Sequence, residues 1–380
     1  MVRMAREETR QGLRVAVVGL EFGRQFVPIY RDHPLVSTVF VADPRDAVRD
    51  AVAARCAVAG AYRSLDEVLA NPEIDAVHIV TGFADRTAHT VAALDAGKHV
   101  ACAVPMALSF EDIARIVAAR ARAGTTYMMM ETAVYTREYL FVEDLLRSGA
   151  LGTINYAKGA HHQDMTNWPA YWMGLPPMHY ATHAIAPILR LLDAPAQRVG
   201  AVGGGALAAE HRGAGGNRFA VESALVQVAG RDAVVELVRS LFQVAHPASE
   251  SFSVFGDRQG FEWPQRDGRE PLLHTLEAPT AARGRRVTTR SVRAPDRADL
   301  LPEPIRRYTR PDPEAGPGAL IRHGGHGGSH PHLVHEFVTS IVEKRPPAVD
   351  HTRAANWTAV GIAAHMSALG GGTPVGVPAF

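Results

Sequence analysis

"LRVAVVGLEFGR", residues 13–24, decides how this chain is read. Small β-forming residues run straight into Gly19, and a second glycine, Gly23, follows four residues later. That pattern predicts a buried strand ending in a tight turn, the kind of turn whose backbone can approach a phosphate. Glu21 stands between the two glycines and puts a negative charge where a phosphate would come closest. Whether the turn still serves a nucleotide is therefore open on these residues alone.

Outward from this turn the pattern is regular. "RQFVPIYRDH" predicts a helix and "VSTVFVADP" a second strand with Asp43 at its end. "RDAVRDAVAARCAV" predicts a helix, and "SLDEVLAN" a short one opened by a Ser64–Glu67 capping box. "IDAVHIVTG" is a strand, "RTAHTVAALDAGK" a helix, "HVACAVP" a strand, "SFEDIARIVAARARAG" a helix opened by Ser109–Asp112, and "TYMMMET" a strand. This alternation over 13–132 predicts an α/β domain with a doubly wound parallel sheet of the Rossmann type, preceded by a disordered arm, 1–12. After about residue 150 the rhythm changes. "TINYAKGAHHQD", "FAVESALVQVAG", "AVVELVRSLF" and "ESFSVFGD" are strand-like, and a hairpin is expected around Asp257–Gly260. The reading for 133–380 is a second α/β domain with a largely antiparallel open sheet, one face of which is available to a second subunit. Residues 264–318 read as a surface excursion, and "HPHLVHEFVTSIVEKR" and "RAANWTAVGIAAHMSALGGG" as closing helices that can pack back on the first domain.

The bulk numbers agree with two domains. The chain has 380 residues, 47% hydrophobic and 21% charged, with a formal net charge of +1. That range belongs to soluble globular proteins of more than one core. Charges of both signs are mixed along the chain, so neither a nucleic-acid patch nor a polybasic membrane arm is expected. No apolar run reaches the length of a membrane span, and the charged start "MVRMAREETRQG" is not a secretory signal. Two cysteines, Cys56 and Cys102, fit a reduced, cytoplasmic protein. Histidine is the unusual residue: of 18, half fall in the windows 161–183 and 323–335.

These windows carry the candidate chemistry. "HYATH" places His179 and His183 four residues apart, on one face if the segment is helical. The spacing suits two imidazoles on one metal, or a general base beside a substrate-binding histidine. "HHQD" offers His161, His162 and Asp164; a regular strand points His162 and Asp164 the same way. In "HGGHGGSHPHLVHEF", Ser329 is a candidate helix cap with Pro331 in the first turn. His330 or His332 could touch a ligand there, whereas His323, His326 and His335 read as surface histidines. Each histidine also has the plain reading of a satisfied core residue. Trp168 and Trp172 suit either stacking on a sugar ring or ordinary packing, and "YMMM" reads as core strand.

With "VAVVGLEFG", "VFVADP", "AALDAGKHVACAVP", "LRSGALGTI" and the 179–183 segment together, the chain resembles the Gfo/Idh/MocA family (glucose–fructose oxidoreductase / inositol dehydrogenase) over nearly its whole length. The resemblance implies a Rossmann domain, an open-sheet C-terminal domain, and an NAD- or NADP-dependent reaction on a sugar, cyclitol or related hydroxyl compound. It places Gly19, Glu21, Phe22, Gly23, Asp43, Arg45 and Thr81 at the cofactor. It brings His162, Asp164, His179 and His183 to the substrate, as catalytic residues or as ligands of a divalent metal, with Glu131 and Tyr135 nearby. Departures accompany it. Glu21 replaces the second turn glycine. Ala103-Val104-Pro105 replaces Glu-Lys-Pro, so the family's lysine is absent. Gly82 and Arg86 stand where the preceding loop usually has Pro and His. His179 and Ala181 replace the Asp and Gly of Asp-x-Gly-x-His, in which His183 is kept. Asp43 could accept from an adenosine ribose and favour NAD; Arg45 and Arg24 could instead reach a phosphate, and Arg24 could neutralise Glu21.

Two functions follow from these residues. One is an NAD-dependent oxidoreductase on a carbohydrate-like molecule, with His183 as base and His179 in place of the missing partners. The other is a redox-neutral lyase, epimerase or hydrolase on the same scaffold, with or without a metal and with impaired cofactor binding. A non-catalytic sensor or partner subunit is a third. A homo-oligomer is expected in each case.

Overall fold

The computed structural model describes residues 12–213, 216–264, 268–316 and 319–380. The expected arm, 1–12, lies outside them except for Gly12. Among the described residues two compact units are present: those within 12–107, 111–135 and 296–354 form the first, and those within 108–110, 136–295 and 355–380 the second. The boundary differs from the one expected, because 296–354 joins the first unit and not the second.

The first unit is built on six strands, β1 (Leu13–Val18), β2 (Val36–Ala42), β3 (Gly60–Tyr62), β4 (Ala76–Ile79), β5 (His99–Cys102) and β6 (Tyr127–Met129). They lie in the order β3-β2-β1-β4-β5-β6, and every pair is parallel. Val15, Ala16, Val17, Ala76 and Val77 are fully buried, as strands covered on both faces require. β3 is too short to show in the sequence. The order reverses between β1 and β4, the point where such sheets hold ligands. The Ser64 hydroxyl caps helix Leu65–Ala70 by accepting from Glu67 N at 3.2 Å, but Glu67 returns its carboxylate to Arg63 N, not to Ser64. Helix His330–Val342 starts with Pro331 in its first turn, as expected, yet Ser329 makes no side-chain cap and is buried.

The second unit carries β7 (Ile154–His162), β8 (Ala196–Ala206), β9 (Phe219–Val228), β10 (Val234–Ser240), β11 (Ser249–Gly256), β12 (Gln259–Glu262), β13 (Leu272–Leu276), β14 (Val287–Ser291) and β15 (Val375–Gly376). Their order is β14-β13-β12-β11-β7-β10-β9-β8-β15, with β7–β10 parallel and the other described pairs antiparallel. The hairpin at Asp257–Arg258 is as read. β13 and β14 correct the expected excursion: part of 264–318 extends the sheet. Helix Thr182–Leu192 lies on one face, and its approach is set by a glycine. A Cβ on Gly159 of β7 would stand 2.1 Å from Ala184 O, so only glycine lets strand and helix touch there.

Candidate active site

In the first unit the turn after β1 is closed by steric necessity. Gly19 has φ +89°, and a Cβ there would lie 2.7 Å from Val80 O, across the switch point. Gly23 packs its helical turn on β1, with a would-be Cβ 3.0 Å from Val17 Cγ1. These are two of the three glycine functions of a dinucleotide fingerprint, tight turn and close packing; the third, backbone approach to the pyrophosphate, falls at Glu21. Glu21 sits on the same turn, its side chain 61% exposed, and is held by Arg45 Nη1 at 2.5 Å and more distantly by Arg24 at 4.0 Å. The negative charge read from the sequence is therefore paired, chiefly by Arg45.

Asp43, at the end of β2, is buried beneath the same arginine. Its Oδ1 accepts from Arg45 N and Nε at 3.0 and 2.9 Å, and its Oδ2 from Leu20 N and Arg45 Nη2 at 2.8 and 2.9 Å. Burial works to raise the carboxyl pKa, but the hydrogen bonds from Arg45 and Leu20 prevail and hold it below the ordinary range. Thr81 follows β4; its hydroxyl lies 3.0 Å from His89 Nδ1, and its carbonyl accepts from Arg86 Nη2 at 2.8 Å. Arg86 Nη1 also donates to Val104 O at 2.6 Å and Pro105 O at 3.1 Å. Val104, in the family's lysine position, is buried, and the cation in this loop cluster is Arg86. Phe22 turns toward the second histidine window: its ring is edge-on to His326 at 5.5 Å and His330 at 5.6 Å. His330 is buried against Phe26, and burial drives its pKa well down, so it is a neutral core histidine. His323 stacks edge-on to Tyr308, and His335 bonds His33. Glu131 is buried and caps a short turn by accepting from Ala133 N, and Tyr135 stacks on His332. The cradle for a dinucleotide is thus present in shape, with its charged rim tied together by Arg45.

In the second unit the expected histidine face is broken. His179 belongs to a 3₁₀ turn, Pro177–Tyr180, and His183 to the helix that starts at Thr182, with Ala181 between them. The His179 ring points at His365, centroids 5.2 Å apart; burial and that neighbour push its pKa down to about 3. His365 Nδ1 lies 2.6 Å from Glu222 Oε1, and since a carboxylate only accepts, the imidazole donates. Glu222 Oε2 accepts from Met178 N at 2.8 Å, which pins the 3₁₀ turn to β9.

His183 meets a different partner. Its ring lies 5.2 Å from His161 and 5.3 Å from Tyr180. Strand alternation sends His162 the other way, where it contacts Ser240 Oγ at 2.9 Å and His246 with ring centroids 4.2 Å apart. Burial, His246 and Arg239 lower its pKa to about 4. Asp164 lies past the strand end, exposed, and accepts from Thr166 N and Oγ1. So the four expected residues separate: His162, Asp164, His179 and His183 do not converge. Among the described residues no group of three His, Cys, Asp or Glu side chains is arranged to hold a metal. Trp172 is buried against Tyr180, while Trp168 is half exposed.

Tyr180, Glu222, Arg239 and Glu250 are not singled out by the sequence, and His161, which is, stands beside His183 in place of His162. Register places Glu222, Arg239, His161 and Glu250 opposite one another on β9, β10, β7 and β11, a polar row across four neighbouring strands. Glu222, Arg239 and His161 are fully buried. Arg239 donates from Nε to Tyr180 O, from Nη1 to the carbonyls of His161 and Ser240, and from Nη2 to Gln163 Oε1. Burial lowers its pKa, against Tyr180 and Glu250, which raise it. A signal existed: Glu222 and Arg239 fall in phase with buried Ala224 and Leu237, where an alternating strand should be apolar.

Residues 13–131 match the family described as "Oxidoreductase family, NAD-binding Rossmann fold". A glycosyl hydrolase family 109 protein of Porphyromonas gingivalis is 30% identical over 146 residues, 36% of this chain and 31% of the relative. An uncharacterized oxidoreductase of Rhizobium meliloti is 34% identical over 112 residues, 29% of this chain and 33% of the relative. The matched stretch spans about a third of the length of these curated relatives. Levoglucosan dehydrogenase in complex with NADH and levoglucosan shares the fold over 97% of this chain and 100% of its own, with TM-score 0.76 and 19% identity. An NAD binding oxidoreductase from Klebsiella pneumoniae does so over 98% and 100%, with TM-score 0.76 and 18% identity. No described helix is long and apolar enough to cross a membrane. With their glycine turn and β3-β2-β1-β4-β5-β6 sheet, residues 13–131 match the Gfo/Idh/MocA oxidoreductase family in its NAD-binding Rossmann fold.

Proposed function

We propose that the protein is a nicotinamide-dependent oxidoreductase acting on a hydroxyl-bearing, carbohydrate-like molecule, with His183 as the group that moves the hydroxyl proton. The observation that carries this reading is the burial of His183 between His161 and Tyr180 in one unit, while the other keeps the glycine cradle. When bound, the dinucleotide supplies the hydride acceptor. His183 takes the proton of the reacting hydroxyl in oxidation and returns it in reduction, work suited to an imidazole near neutral pH. His161, beside Glu250 at 3.6 Å, fixes the His183 ring. His179 acts by position, since a pKa of about 3 leaves it neutral and able to accept, and the Glu222–His365 pair sets its turn. The levoglucosan dehydrogenase likeness supports a sugar or anhydrosugar substrate.

A redox-neutral reaction such as glycoside hydrolysis is the second reading. It is favoured by the relative that bears a glycosyl hydrolase name and by the buried Val104 where the family has lysine. Assay of a panel of sugars, anhydrosugars and aryl glycosides separates the two. The first reading expects NADH or NADPH to accumulate, and His183→Ala to lower turnover by about 10²–10⁴-fold. Glycoside cleavage without net reduced cofactor would replace it by the second. Full activity of His183→Ala would remove His183 from either.

A homo-oligomer formed through the second unit's sheet is part of the proposal. Val202, Leu225 and Val234 stand exposed on one face of β8–β10, which supports a partner of like surface.

A further inference from the structure

We infer that Arg45, together with Arg24, selects the 2′-phosphorylated dinucleotide, NADP, over NAD, and that Glu21 occupies the phosphate's place until it binds. The inference rests on the dinucleotide reading proposed above and names the form of the cofactor.

In a Rossmann domain an acidic residue after the second strand reads the adenosine ribose by accepting from its hydroxyls, and a nearby arginine serves a 2′-phosphate instead. Asp43 stands at that position, but it has no accepting capacity left. A carboxylate offers about four lone-pair directions. Asp43 receives four hydrogen bonds: Arg45 N and Nε on Oδ1, Leu20 N and Arg45 Nη2 on Oδ2. Its side chain is 2% exposed, sealed under the guanidinium that it binds. A ribose hydroxyl arriving there would have to displace one of these donors, three of which come from Arg45.

Arg45 presents its remaining edge outward. The side chain is 50% exposed, and among the described residues Nη1 is held by Glu21 Oε2. Arg24 approaches the other Glu21 oxygen only at 4.0 Å, and its buried Nε has no hydrogen-bond partner among the described residues. Glu21 itself is the most exposed of the three, tethered by these cations and free to turn toward water. Two guanidinium groups thus share one exposed carboxylate, bound closely by Arg45 and only distantly by Arg24. A phosphate dianion offers three oxygens, carries more charge than a carboxylate, and suits the fork of an arginine better. Exchange of Glu21 for a 2′-phosphate keeps Arg45 on Asp43 and pairs Arg24 as well. NAD has no group that makes this exchange. The glutamate that stands against a phosphate on the turn is then a stand-in for one at the rim.

Isothermal titration of the full chain with NADP⁺ and with NAD⁺ tests this without any substrate. Wild type is expected to bind NADP⁺ at least about tenfold more tightly, the effect of one charge-assisted contact. Arg45→Ala should weaken NADP⁺ about 10–100-fold and leave NAD⁺ equal or tighter, because Asp43 regains its acceptor sites. Glu21→Gln, which retains Arg45 and disturbs the fold least, should tighten NADP⁺ more than NAD⁺. Adenosine 2′,5′-bisphosphate should compete where 5′-AMP does not. Tighter NAD⁺ binding in wild type, or equal losses of both nucleotides in Arg45→Ala with no gain in Glu21→Gln, would overturn the selectivity alone. Failure of every form of the chain to bind either nucleotide would overturn the dinucleotide reading, and this inference with it.

Discussion

The rings of His161 and His183 lie 5.2 Å apart, edge to face, one on a strand and the other on the helix that crosses it. Their approach depends on Gly159, two residues before His161, where the strand has no side chain to hold the helix off. Gly159→Ala places a Cβ 2.1 Å from Ala184 O, a contact that the backbone cannot accept without moving. It should destabilise the second unit by about 1–3 kcal/mol, as overpacked cores do, and lower turnover together with stability. Urea unfolding read from the tryptophans, three of which lie in 168–263, measures the first effect. An unchanged midpoint would show that strand and helix are not in this contact.

Glu222 should be among the least replaceable residues of the second unit. It is fully buried and binds both His365 and Met178 N. Glu222→Ala leaves two donors without their acceptor and should cost about 2–4 kcal/mol. Glu222→Gln, which can still accept, should cost less than the alanine and restore part of the activity. Equal losses in the two variants would mean that the hydrogen bonds do not matter.

Acid should weaken the first unit before its carboxylates titrate. His78 is buried with its pKa lowered to about 3, and His330 is lowered well below its ordinary value, both first by burial. A histidine with a depressed folded pKa takes up its proton more readily when unfolded. The stability that it contributes is complete above the unfolded value of about 6.5 and is lost as pH falls from there toward the folded pKa. Each such histidine gives a slope approaching 1.4 kcal/mol per pH unit within that window. Stability should therefore drop from pH 7 to pH 5, and His330→Phe, packed among Phe22, Phe26 and His326, should flatten the drop. An unaltered pH dependence in this variant would mean that His330 titrates alike in both states.

Leu225→Glu tests the sheet as a subunit interface. The side chain is 58% exposed, on the same face as Val202 and Val234, so a monomer tolerates the charge. If copies pair through this face, light scattering should show the wild type as an oligomer and the variant as a smaller species, with the same circular dichroism. Monomeric wild type at high micromolar concentration would end this proposal.

Much was determined by the sequence alone. The glycines of 19–23, the alternation of apolar strand and amphipathic helix over 13–132, and the change to closely spaced strands after 150 all act over a few residues. Local periodicity and turn chemistry are therefore enough to fix the two sheets and their classes. The site was legible only in part. His162, Asp164 and His179 do not come together with His183, because β7 ends at His162 and Ala181 separates a 3₁₀ turn from the helix that starts at Thr182. Tertiary structure decided the rest. Which of two adjacent histidines faces inward depends on the side of the sheet that receives a helix, and no local pattern states this. Glu222, Arg239, His161 and Glu250 form one row only through register across four strands, His161 and Glu250 being neighbours in space but far apart along the chain. Asp43 likewise keeps its expected position, but its chemistry was settled by Arg45, which folds back to fill it and reaches on to Glu21 across the turn. Period and turn type are properties of neighbouring residues; face, register and ion-pair choice belong to groups that only the folded chain brings together.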